Sequence, residues 1–201
     1  MNVETPNELQ LDALREVANI GCGNAANALA QLVGGHTVTV DVPSVLTAPT
    51  TELAPLLGGN VPVVAASLDV EGQLSGRLLL VWSEDDARLL TRLLLRGHPT
   101  EGPLLEEPRR SALAEVANIL GSACLSAIAR LTRQRIMPST PKMMLMPADE
   151  VIDQLDRSVF ARAAVVLQAR FITEHVPPLT GQMLLVPDRQ SLPKLLAALG
   201  F

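Results

Sequence analysis

Two polar triplets with the same spacing are the residues of this chain most able to do chemistry. In each triplet the second residue follows the first by four positions and an Asn follows by three more, so an α-helix places all three on one face. The triplets are Asp12, Glu16 and Asn19, and Ser111, Glu115 and Asn118. One such stripe is usually a solvated helix face, but its repetition within one chain favours a functional role.

The chemistry open to a Glu and an Asn on one helix face is limited. Asn has no useful proton affinity, so it can orient a water molecule but hardly deprotonate it. Glu can pair with a basic side chain of a partner protein, or act as a base if its pKa is raised. Phosphoryl transfer suits this pair, because its loose transition state depends on positioning more than on a strong base.

Other classes of function find little support. The chain lacks a phosphate-binding glycine loop and a nucleophile elbow. A net charge of −5, three Phe, one Trp and no Tyr argue against nucleic-acid binding. The potential metal ligands fall at no zinc-site spacing: His36, His98, His175, Cys22 and Cys124. We therefore expect no metal and no cofactor in this chain.

The two triplets begin two copies of one helix. Between residues 12–33 and residues 111–132, at an offset of 99, ten of 22 positions are identical. Strand-like runs follow each helix, and Gly76-Arg-Leu-Leu-Leu-Val recurs as Gly181-Gln-Met-Leu-Leu-Val. Pro43 falls inside a strand-like run, which puts it at a sheet edge or a bulge, and Pro141 takes the corresponding place in the second copy.

These patterns predict an α+β fold made by tandem duplication of an α-β-β-β-α unit. Two such units imply one pseudo-twofold domain over residues 1–201, with a six-stranded, mainly antiparallel sheet and long helices on one face. We place repeat one at about 7–96, a linker rich in Gly and Pro at 97–108, and repeat two at about 109–201.

The location expected from the sequence is the cytoplasm. The first residues are acidic and polar, unlike a signal peptide. No apolar run approaches the roughly 20 residues of a membrane span. Five arginines bracket the second helix and are interpreted as ordinary solvated charges: Arg109, Arg110, Arg130, Arg133 and Arg135.

The pattern [DS]-x-x-x-E-x-x-N, followed some two dozen residues later by Pro, resembles the signature of the CheC/CheX/FliY phosphatases of bacterial chemotaxis. The chain carries it twice, in phase with the internal repeat: Asp12, Glu16, Asn19 and Pro43, then Ser111, Glu115, Asn118 and Pro141. The resemblance covers essentially the whole chain.

This resemblance implies hydrolysis of the aspartyl-phosphate on a CheY-type response regulator. Asn19 and Asn118 would each position the attacking water, and Glu16 and Glu115 would pair with the regulator's active-site Lys. The Mg²⁺ of such complexes belongs to the regulator. Members of the family can also bind the deamidase CheD.

Two alternatives remain open at this point. A non-catalytic adaptor could keep the fold and bind a response regulator or CheD. A ligand-binding sensory domain would need a polar cavity that the sequence does not indicate. The paired Glu and Asn of both repeats favour the enzyme.

Overall fold

The structure is a computed structural model that describes residues 7–13, 16, 19, 20, 24, 38–95, 101–155, 163–173 and 176–198. Within these residues seven strands form one sheet: β1 (Val38–Pro49), β2 (Pro62–Gly72), β3 (Gly76–Ser83), β4 (Ile136–Pro138), β5 (Lys142–Pro147), β6 (Ala163–Thr173) and β7 (Val176–Pro187). Residues 8–13 form helix α1, and residues 16, 19, 20 and 24 are also helical. The further helices are α2 (Leu53–Leu56), α3 (Glu84–Leu94), α4 (Arg109–Thr132), α5 (Ala148–Asp153) and α6 (Ser191–Ala198), with a 3₁₀ turn at Thr50–Glu52.

The strand order is β1-β6-β7-β3-β2, with β4 and β5 end to end along the outer edge of β2. All of these pairings are antiparallel. Because β4 and β5 together fill one position, the seven strands occupy six places. The predicted α+β fold with a six-stranded antiparallel sheet is confirmed.

The two repeats exchange their first strands. The first strand of repeat one, β1, pairs with β6 of repeat two. In return, β4 and β5 of repeat two pair with β2 of repeat one. Neither repeat therefore contains a complete three-stranded sheet of its own.

A pseudo-twofold axis passes between the central strands β3 and β7. Leu79 pairs directly with Leu184. These two residues are the same position of the matching runs that begin at Gly76 and Gly181. An antiparallel pair has a local twofold axis perpendicular to the sheet, so the internal repeat and the sheet share one symmetry.

Helices cover both faces of the sheet. One core lies under the long helices α3, α4 and α6, where strand β2 contributes Val64, Ala66 and Leu68. The alternate residues of the same strand, such as Val63 and Ala65, face a second core under the short helices α2 and α5. This explains why β2 is an almost unbroken apolar run rather than an alternating one.

Local sequence accounts for several element boundaries. The Asn7 side chain accepts from the Gln10 N–H at 3.0 Å, and the Gln10 side chain accepts from the Asn7 N–H at 2.8 Å, a reciprocal cap for α1. Ser83 caps α3 by accepting from the Asp86 N–H at 3.0 Å. Strand β2 ends at Gly72, before the hairpin turn to β3, and its φ of +125° suits glycine.

Helix α4 is unusually apolar for a helix of a globular fold. Its most apolar 18-residue window has a mean hydropathy of 1.6, enough by length and composition to cross a bilayer. The sequence prediction of no membrane span considered only unbroken apolar runs, and polar residues interrupt the sequence of α4. Half of the window is buried inside the protein, and Leu113, Val116 and Leu120 lie in the main core, so packing accounts for its composition.

Candidate active site

The first stripe lies on helical residues near the start of the chain. Asp12, Glu16 and Asn19 are all exposed. The reciprocal cap of Asn7 and Gln10 lies one turn before Asp12 and defines where this helix begins. The helical spacing predicted from the sequence is thus present, with all three side chains accessible to a partner.

The second stripe lies on the first half of α4. Ser111 and Glu115 are exposed, and Asn118 is half-buried. The opposite face of the helix packs into the main core, so α4 cannot roll without breaking that packing. A rigid support of this kind suits a site whose chemistry is positioning.

The stripe on α4 extends one turn further than the sequence analysis placed it. Ser111 Oγ donates to Glu107 Oε2 at 2.5 Å, and Arg110 Nη2 lies 2.6 Å from Glu107 Oε1. The hydrogen bond from Ser111, aided by Arg110, holds the pKa of the Glu107 carboxyl below its ordinary value of 4.5. The Ser111 hydroxyl proton is committed to Glu107, so this hydroxyl offers a partner only its acceptor lone pairs.

The sequence patterns did not indicate Glu107 as part of the second stripe, because position 107 falls within the predicted linker. A signal was available in the repeat itself: at the offset of 99, Glu107 corresponds to Glu8. Glu8 is helical and exposed. Each stripe therefore begins with a carboxylate.

The two prolines of the motif lie in the edge strands, in corresponding places. The register between β1 and β6 shifts between Asp41 and Ser44, which confirms the predicted edge position and bulge around Pro43. Pro141 lies in the gap between β4 and β5. Each proline thus stands where the outer strand of its repeat is interrupted, and a chain without an N–H at that point cannot continue the ladder.

A groove lies between the helical residue Asn24 and helix α4. Its lining includes Asn24 from the first helix and Ser122, Ala123 and Ser126 from α4. Asn24 and Ala123 are equivalent positions of the two repeats.

The arginine interpretation was wrong for Arg109. This side chain is only 5% exposed, and its guanidinium group donates to the carbonyls of Pro103 and Glu101. The segment 101–108 was predicted as linker, yet Leu104 within it is 1% exposed in the main core. The remaining part of the predicted linker, 97–100, lies outside the described residues.

Within the described parts of the chain, no group of three or more His, Cys, Asp or Glu could hold a metal ion. Cys124 is a buried thiol on α4. Cys22 lies outside the described residues.

The fold is shared with the solved structures of FliY and of the FliM middle domain. FliY from Thermotoga maritima superimposes with a TM-score of 0.79 at 18% identity, over 98% of both chains. The FliM middle domain from H. pylori gives a TM-score of 0.69 at 12% identity, over 96% of this chain and 99% of the other. At these identities the likeness concerns the fold alone.

Sequence comparison identifies the family. The sequence model described as "CheC-like family" matches residues 9–46 and 109–145, the two segments that hold the stripes and their prolines. The Bacillus subtilis protein named "CheY-P phosphatase CheC" is 34% identical over 96% of this chain and 95% of its own length. This chain belongs to the CheC-like family, as its motif predicted.

Proposed function

We propose that this protein hydrolyses the aspartyl-phosphate of a phosphorylated CheY-type response regulator. The observation that carries the proposal is the 34% identity, over nearly the full length of both chains, with a protein named CheY-P phosphatase CheC. Two helical stripes with accessible Glu and Asn side chains support it, because each can enter the site of a partner protein.

In this proposal Asn19 and Asn118 are the catalytic residues that orient a water molecule. The water attacks phosphorus in line, the bond from phosphorus to the aspartyl oxygen breaks, and inorganic phosphate and a free carboxylate result. The side-chain amide accepts from and donates to the water without becoming charged. The rate gain comes from placement, which can lower the barrier substantially when reacting atoms are held close together.

Glu16 and Glu115 have a separate task in this proposal. Each forms an ion pair with the active-site Lys of the regulator and so anchors the helix in the regulator's site. Asp12 and Ser111 are the first residues of the two triplets and support the Glu and Asn that follow, and Pro43 and Pro141 act as supporting positions in the sheet edges. The Mg²⁺ is held by the regulator, the chain needs no cofactor of its own, and we place the reaction in the cytoplasm.

The test measures phosphate loss from a phosphorylated CheY-type regulator in the presence of single and double variants. We expect Asn19→Ala and Asn118→Ala each to remove the contribution of one site. The double variant should lose about 100-fold or more of the acceleration, because an unoriented water is a poor nucleophile. Asn24→Ala is the matched control, since Asn24 is exposed, helical and already Ala at the equivalent position 123.

Two results would contradict the proposal. A double variant as active as the unmutated chain would remove the catalytic assignment of both Asn residues. An unmutated chain that binds the phosphorylated regulator without accelerating phosphate loss would instead establish the adaptor. Titration of CheD against the same variants would then show whether the deamidase is a partner.

A further inference from the structure

Helix α4 begins without a side-chain cap of the kind that helices α1 and α3 have. Its N-cap residue, Pro108, makes no side-chain cap hydrogen bond, and the first turn contains no acidic residue. Helix α3 is capped by Ser83, and α1 by the pair Asn7 and Gln10. Hydrogen bonds of the ordinary helical i→i−4 type run from this turn to the preceding segment: the Arg110 N–H donates to the Glu106 carbonyl at 3.0 Å. The Ala112 N–H donates to the Pro108 carbonyl at 3.1 Å.

The start of α4 therefore depends on where the preceding segment lies. Residues 106 and 108 belong to the segment 101–108, which is without regular secondary structure. Ser111 lies between Arg110 and Ala112, the two residues whose amides donate to this segment. Glu107, which accepts from the Ser111 hydroxyl at 2.5 Å, is part of the same segment. A displacement of the segment would move both the first turn of α4 and the beginning of the second stripe.

Two guanidinium groups hold this segment through three consecutive carbonyls. Arg109 Nη1 donates to Glu101 O at 2.6 Å, and Arg109 Nε donates to Pro103 O at 2.8 Å. Between them, Arg88 Nη1 of helix α3 donates to Gly102 O at 3.2 Å. The Arg109 side chain is 5% exposed, whereas 40% of the Arg88 side chain is accessible. Arg109 is thus the buried anchor of the segment.

The backbone around Arg109 leaves little room for another arrangement. Gly102 has a φ of +108°, and a β-carbon there would lie 2.9 Å from Arg109 Nη2. A cation at the start of a helix is also disfavoured by the helix dipole. Burial at this place is favourable only because carbonyl oxygens surround the charge, so the contact specifies one position of the segment.

We propose that Arg109 is a positioning residue for the second site, setting the start of α4 and through it the orientation of Ser111, Glu115 and Asn118. This inference rests on the proposed function of that site. In repeat one the equivalent position is Gln10, which takes part in the reciprocal cap. The helix of the first site therefore begins at a side-chain cap, whereas the helix of the second site begins at the Arg109 contacts. Only the second site depends on the segment between the repeats.

The test uses chains in which only one site works. Arg109→Met keeps an unbranched, flexible side chain that can stay buried and removes the guanidinium donors. In the Asn19→Ala chain, which acts through the second site, we expect kcat for regulator dephosphorylation to fall about tenfold with KM changed less than about twofold, because placement and not encounter is impaired. In the Asn118→Ala chain, the same substitution should leave kcat unchanged. Arg109→Lys, which keeps the charge with fewer donors, should restore part of the loss.

A readout independent of activity accompanies the kinetics. Hydrogen exchange at the amides of Arg110 and Ala112 should accelerate about tenfold in Arg109→Met, while exchange at residues 11–13 stays constant. Arg92→Met on the exposed face of α3 is the matched control and should change neither measurement.

Three outcomes would overturn the assignment: an equal loss of kcat in both single-site chains, no loss in either, or unchanged exchange at Arg110 and Ala112. An equal loss would mean that Arg109 supports the whole fold and not one site. If the Asn19→Ala chain has no activity, the proposed function of the second site fails. The positioning role is then decided by hydrogen exchange alone, and unchanged exchange rates at the amides of Arg110 and Ala112 in Arg109→Met refute it.

Discussion

The pKa of the Glu107 carboxyl is lowered by a residue of the second stripe, Ser111. The hydrogen bond from Ser111 and the neighbouring Arg110 stabilise its ionised form and lower its pKa. Above pH 4.5 the folded and unfolded states are both ionised, and the interaction contributes fully to stability. As the pH falls below this value the unfolded state binds its proton first, so the contribution is lost as the pH passes through the folded pKa.

Ser111→Ala should therefore raise the pKa of Glu107 toward 4.5, because the largest stabilising hydrogen bond to the carboxylate is removed. The measurement is a ¹³C titration of the Glu107 carboxyl by NMR. Ser111→Thr is the control, since it retains the hydroxyl and should keep the low value. A pKa that stays equally low in Ser111→Ala would show that the hydroxyl does not bond to Glu107 in solution.

At this scale the sequence was informative wherever a residue acts on its near neighbours. The cap by Ser83, the cap by Asn7 and the irregularity around Pro43 follow from the chemistry of one side chain and a few adjacent backbone groups. Arg109 was misinterpreted because its partners, the carbonyls of Glu101 and Pro103, come from a segment whose path the sequence does not specify. When an Arg lies beside a Gly- and Pro-rich run, the neighbouring sequence does not indicate whether its side chain is buried or exposed to solvent.

At the scale of elements, helix α4 approaches the sheet closely at Gly121. A β-carbon at this position would lie 3.0 Å from Leu68 Cδ2 and 3.2 Å from Leu78 Cδ2. Both leucines are completely buried, on strands β2 and β3. The small residue lets the helix that carries the second stripe lie directly on the central strands.

Gly121→Val should destabilise the protein by about 1–3 kcal/mol, because the added carbons overfill a packed core. Urea unfolding followed by the fluorescence of the single Trp, Trp82, measures this change, since Trp82 is buried in the same core. Ala114→Val is the control: it adds a β-branched residue to the same helix at a half-buried position. Equal effects of the two substitutions would show that the close approach at Gly121 adds no cost beyond that of a β-branched residue in this helix.

The sequence predicted the order and type of elements well and their partners less well. Runs of β-branched and apolar residues indicated the strands, and the duplicated motif indicated two equivalent units. The split of one edge strand into β4 and β5, and the second core under α2 and α5, were not foreseen. Short helices bury little area on their own, and their apolar residues become informative only once the opposite face of the sheet is known.

At the scale of the whole molecule, the exchange of first strands makes each repeat depend on the other. Without repeat two, β1 has no neighbour and β2 has an open outer edge. Strand pairs with exposed edges and an uncovered apolar face are marginal in water. The pseudo-twofold symmetry applies the same argument to repeat two.

We expect separate chains of residues 1–100 and 101–201 to be unfolded or self-associated when alone, and to form the native sheet when mixed. Circular dichroism and analytical ultracentrifugation of each half and of the mixture test this. A half that is a folded monomer would contradict the dependence that strand exchange implies. The predicted single-domain organisation would then have to be replaced by two independent units.

Strand exchange also has a consequence for the order in which the protein can fold during synthesis. Val45 of β1 pairs with Leu167 of β6, 122 residues later in the chain (167 − 45). At roughly 5–20 residues per second, the ribosome needs about 6–24 s to make this partner after β1 has been translated. For that interval the first strand has no native neighbour, and for the part after residue 96 the first repeat is already complete in sequence. The nascent chain is therefore most open to wrong pairings while its second half is still being made.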